Sequence, residues 1–76
     1  MITTQWVMNA LGKKRLAMIE DISVECGVID IMMYDNYANS EGETMVIIDY
    51  GFHETNKTDL KRELISRVDE MREVTK

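Results

Sequence analysis

The clearest pattern in the chain lies in its last third. Leu60, Leu64, Val68, Met71 and Val74 recur at spacings of four and three, which places them on one stripe of a helix. The spacing predicts a helix over residues 57–74. Asn56 or Thr58 can cap its start, and Asp59 in the first turn suits the helix dipole. Glu63 and Arg67 form an i,i+4 pair in the favourable order.

Upstream the period changes from helical to alternating. Val28 to Tyr34 and Thr44 to Phe52 are rich in β-branched and aromatic residues, and Ala38 to Glu43 between them has the composition of a turn. These runs predict an antiparallel hairpin. Parity assigns Ile29, Ile31 and Met33 to one face of the first strand, and Val46, Ile48, Tyr50 and Phe52 to one face of the second. Ile22 to Glu25 reads as a third strand. A two-residue turn at Cys26-Gly27 pairs Val24 with Ile29 and Ile22 with Ile31, apolar on apolar. The three runs agree on one buried face, which the C-terminal helix can cover. The expected fold is therefore α+β: an antiparallel meander of three or four strands with the C-terminal helix packed on one face, within a single domain spanning residues 1–76.

The N-terminal segment reads two ways. Thr4 to Leu11 fits a short helix capped by Thr3 or Thr4 and stopped by Gly12, or a strand in which Ile2, Thr4, Trp6 and Met8 alternate. A single helix over 4–22 fits less well, because Lys14 and Asp21 fall within its apolar stripe.

Charge changes the picture more than composition does. The net charge of −5 is segregated. No Lys or Arg occurs from Leu16 through Asn56, while Glu20, Asp21, Glu25, Asp30, Asp35, Glu41, Glu43, Asp49 and Glu54 all lie there. Such a field repels nucleic acid and anionic membrane and attracts a basic partner. Lys13-Lys14-Arg15 is the one basic triplet, and beside so many acids it reads as a solvated turn rather than a phosphate contact. The single cysteine and an opening without a basic, apolar leader point to a reducing, cytoplasmic setting. No apolar run approaches the ~20 residues that span a bilayer.

Candidate chemistry is sparse. His53, the only histidine, shares strand parity with Asp49 and precedes Glu54. An imidazole beside carboxylates can hold a divalent metal or act as a base, but with no second histidine or cysteine to support it, a solvated histidine at a strand end is the better reading. Asp30 and Asp49 fall on the face opposite the core, and one register of the hairpin sets them directly opposite each other. Facing carboxylates suit a cation site or glycosidase chemistry, but so small a chain offers little room for a sugar cleft. Asp35 to Val46 lacks the glycine and terminal glutamate of a calcium loop. The four glycines are too dispersed to cradle phosphate, and Cys26 has no CxxC partner. No catalytic residue, metal or cofactor is expected.

The outer face of the proposed sheet remains. It collects Asp21, Glu25, Asp30, Met32, Tyr34, Met45, Ile47 and Asp49, an apolar patch among acids. Small monomers rarely expose such a patch without using it, unless the N-terminal segment folds over it. The expected function is a small acidic, non-enzymatic module that binds a basic surface of another protein. Where that surface normally holds nucleic acid, occupancy inhibits the target, as phage and mobile-element anti-defence proteins do. Homo-oligomerisation is expected from the thin core. Two alternatives are a small-molecule (nucleotide-like) binder using Lys13, Lys14, Arg15, Trp6 and Tyr50 at a subunit boundary, and a minimal metal-dependent enzyme around Asp30, Asp49 and His53.

Overall fold

A computed structural model describes residues 1–53 and 56–74, without the side chains of Phe52 and His53. The chain runs α1 (Thr4–Leu16), β1 (Ile19–Glu25), β2 (Val28–Met33), β3 (Tyr37–Ala38), β4 (Met45–Asp49), a 3-10 turn (Tyr50–His53), α2 (Lys57–Asp69) and β5 (Arg72–Glu73). Strands β1, β2 and β4 form an antiparallel sheet in that order, while β3 and β5 make a separate two-stranded ladder. The α+β architecture is the one that the hydrophobic pattern predicts.

The β1–β2 hairpin follows its sequence closely. Cys26 and Gly27 both take positive φ, 52° and 79°, as a type I′ turn requires. That turn sets Val24 against Ile29 and Ile22 against Ile31. Strand β1 starts earlier than expected, at Ile19, because Glu20 is an extra residue in the ladder: Ile19 faces Met33 and Asp21 faces Met32. A bulge of this kind reverses parity. It brings Ile19, an odd-numbered residue, into the same core as the even-numbered Ile22 and Val24.

The N-terminal segment is helical. Thr3 caps it, its Oγ1 accepting from the Trp6 N–H at 3.0 Å. Gly12, at φ 81° and ψ 166°, interrupts the helical geometry where the sequence predicts a stop, and one further turn follows to Leu16. Helix α1 does not cover the outer sheet face. Its Val7 and Leu11 join Leu60, Leu64 and Val68 of α2 over the inner face, against Ile29, Ile31, Met33, Val46 and Ile48. Each of these side chains is at most 3% exposed. Full burial of one such side chain contributes about 1.5–3 kcal/mol, so this layer is what holds a short chain together.

Other boundaries also differ from the sequence reading: Ala38, read as the start of a turn, belongs to β3. Helix α2 ends at Asp69 rather than Val74. The apolar spacing holds through Met71, which is buried, but Arg72–Glu73 then pairs with Tyr37–Ala38 and leaves Val74 half exposed. Nonlocal strand pairing overrides the helical period there. Strand β4 ends at Asp49 rather than Phe52, since the Asp49 side chain accepts from the Gly51 N–H at 3.0 Å and starts the 3-10 turn. Tyr50 still packs against the core.

Arg15 joins the two helices. Its Nε and Nη2 donate to the Asp69 carboxylate at 2.8 and 3.0 Å, and its Nη1 donates to the Leu11 carbonyl. The hydrogen bonds from Arg15 hold the Asp69 carboxyl below its usual range. Both partners are partly solvated, so the pair contributes on the order of 1 kcal/mol or less.

Candidate acidic docking face

The sheet presents its second face without cover from any described element. Register resolves that face into three rungs across β1, β2 and β4. Asp21, Met32 and Met45 form the first, Ser23, Asp30 and Ile47 the second, and Glu25, Val28 and Asp49 the third. Side chains on one face of neighbouring strands stand about 5 Å apart at Cβ. The residues expected on this surface are therefore brought together as one lattice. Met32, Met45 and Ile47 are 42, 39 and 54% exposed, large apolar side chains left open to water. Tyr34 follows β2 directly, continues the parity of Met32 and is also exposed.

Register also sharpens the arrangement. The apolar residues do not occupy the centre. Met32, Met45 and Ile47 gather toward one corner, on β2 and β4, while Asp30 sits in the middle, half-buried. Asp21 and Glu25 line the β1 side, and Asp49 closes the far corner. Four carboxylates thus accompany the apolar corner, and no cation belongs to the lattice.

The expected opposition of Asp30 and Asp49 does not occur. Asp30 faces Ile47 and Asp49 faces Val28, so the two carboxylates are not opposed. They are diagonal neighbours, for which the separation is about 7–8 Å. The connection from β2 to β4 is long, so turn geometry does not impose a register on it; packing of Ile31 on Val46 and Ile29 on Ile48 does. Among the described residues no three His, Cys, Asp or Glu side chains converge as metal ligands. The His53 side chain and Glu54 lie outside the described residues.

The five residues that a small-molecule site would use do not meet in a cleft. Lys13 and Lys14 are exposed at the α1 interruption, Arg15 is tied to Asp69, and Trp6 and Tyr50 pack half-buried against the core. None of them lines either of two shallow clefts. The first, about 290 Å³, lies between α1 and β1, with Met8, Glu20 and Asp21 in its wall. The second, about 430 Å³, runs along β4 between Met45 and Ile47 of the outer face and Arg67 of α2. Arg67 is a residue that sequence reasoning misses as part of this surface. Its spacing marks it as a solvent-facing helix position, and only the fold brings it to the sheet edge.

Among the described residues no helix is long and apolar enough to cross a membrane. No family model matches this chain, and neither a curated protein nor a solved structure matches it.

Proposed function

We propose that this chain is a non-enzymatic binding module whose outer sheet face docks on a basic surface of another protein and thereby blocks it. The observation that carries the reading is the open lattice in which Asp21, Glu25, Asp30 and Asp49 stand beside the exposed corner of Met32, Met45 and Ile47. The carboxylates steer a cationic partner into encounter, and desolvated apolar side chains hold it once bound. Methionine suits such a role because it repacks easily against an imperfectly matched surface. A partner surface basic enough to choose these carboxylates is one that also attracts nucleic acid, so the mode of action proposed is competition. Phage and mobile-element proteins that disarm host defence act in this manner as a class, in the cytoplasm of the host.

The test is capture from host cells with the wild-type chain and with Asp30→Lys/Asp49→Lys as baits. The expected result is a basic protein recovered by the wild type alone and released by added duplex DNA or RNA. Equal recovery by both baits, or recovery indifferent to nucleic acid, contradicts the reading.

A further inference from the structure

The two edges of the sheet are not alike. Strand β1 is bulged at Glu20 and carries Glu20, Asp21 and Glu25, devices that keep an edge from pairing with another chain. Strand β4 is less protected, with a single acid, Asp49, at its end. It reads Met45-Val46-Ile47-Ile48-Asp49, with no bulge, proline or lysine. Its hydrogen-bonding parity is settled by flanking bonds. The Met33 N–H donates to Thr44 O and the Tyr50 N–H donates to Gly27 O, so the even-numbered residues of β4 bond to β2. Antiparallel alternation then turns the N–H and C=O of Met45 and Ile47, and the N–H of Asp49, toward the free edge. The cleft between Met45, Ile47 and Arg67 runs along that edge and leaves it accessible.

We propose that a second copy of this chain occupies the β4 edge, antiparallel and centred on Ile47. This register sets Ile47 against its own copy and Met45 against the second copy's Asp49. It uses the outward groups of both strands in about four ladder bonds. Charge disfavours two neighbouring registers. Centring on Val46 would place Asp49 opposite the second copy's Glu43, and centring on Asp49 would oppose two identical carboxylates, both unfavourable. Centring on Ile47 brings the second copy's Asp49 to the end of β4 where Arg67 stands. The result is a continuous six-stranded sheet, ordered β1-β2-β4-β4-β2-β1, with all helices on one side. Met32, Met45 and Ile47 of both copies then form one apolar stripe, flanked by the acids of both. Stacking the outer faces would instead press carboxylates together, so the edge is the better route to a dimer.

This inference concerns the protein alone and does not depend on a foreign partner. Its test is sedimentation equilibrium of the purified full chain at micromolar concentrations and two salt levels. The wild type is expected to dimerise, and to hold or tighten as salt screens the like net charges. Ile47→Lys, at an exposed position, should weaken the dimer at least roughly tenfold through directly opposed like charges. Met32→Lys, also exposed but on the central strand, should leave it intact. In a Cys26→Ser background, Ile47→Cys should form a dimer disulfide under mild oxidation. Hydrogen-bonded pairs lie about 5.5 Å apart at Cα, inside the range of about 4.4–6.8 Å that a disulfide bridges. Met45→Cys should not, since its two copies would lie ~13 Å apart along the strands. A monomeric wild type overturns the proposal. So does loss of the dimer with Met32→Lys but not Ile47→Lys, or equal cross-linking at 45 and 47.

Discussion

The two faces of one sheet obey different rules. The inner face presents Ile29, Ile31, Met33, Val46 and Ile48, all sealed beneath α1 and α2, and among the described residues no polar side chain is buried. The outer face is built on alternate residues of the same strands, yet it mixes carboxylates with exposed methionine and isoleucine. Folding explains the first choice completely and the second hardly at all. Apolar side chains left in water contribute little to folding, and carboxylates clustered on one sheet oppose it slightly through repulsion. Residues that stability does not require are the natural place to look for function.

The contrast can be broken by truncating one residue on each side. Leu64→Ala removes a fully buried side chain and should destabilise by about 2–5 kcal/mol, lost transfer energy plus a cavity. Ile47→Ala, at a position 54% exposed, should change stability by about 0.5 kcal/mol or less when the protein is dilute. Urea denaturation of both variants at low concentration reads the difference directly. Comparable losses would mean that the outer face is part of the core and not a free surface.

A smaller effect tests the clamp between the helices that cover the inner face. The folded-state pKa of Asp69 lies below its ordinary value because Arg15 hydrogen-bonds the carboxylate. Its stabilisation is therefore complete above the unfolded pKa of ~3.9 and fades as pH falls through the lower folded value. Asp69→Asn should cost about 1 kcal/mol or less at pH 7 and nothing once both states are protonated. Thermal melts of the two proteins should differ at pH 7 and converge in acid. A constant difference across that range would show that the pair matters through packing and not charge.

How much of this was legible beforehand depended on whether the signal was local. The Cys26-Gly27 turn fixes the pairing of its own flanks, so the Val24–Ile29 and Ile22–Ile31 pairs could be read from parity alone. The Thr3 cap and the break at Gly12 are likewise local chemistry. The bulge at Glu20 was not legible, because its only trace is that Ile19 has the wrong parity for a core that it nevertheless joins. The end of α2 was misplaced because Met71 and Val74 keep the helical period, while the ladder between β5 and β3 joins residues far apart in sequence. The same reason hid the register of β2 on β4, and with it the separation of Asp30 from Asp49. Membership of the outer face was legible residue by residue. Its layout, with an acid at the centre and the apolar residues at one corner beside Arg67, required the fold.

On the proposed function, the outer face works by charge-steered docking on a basic partner. This docking is tested most directly by the association rate of wild type and Asp30→Lys/Asp49→Lys with the captured partner, across salt. The wild-type rate should fall steeply between low and physiological ionic strength, where the screening length shortens to ~8 Å. The variant, with an unchanged circular dichroism spectrum, should associate at least tenfold more slowly at low salt and respond little to salt. A folded variant that associates as fast as the wild type, or a wild-type rate independent of salt, would contradict it.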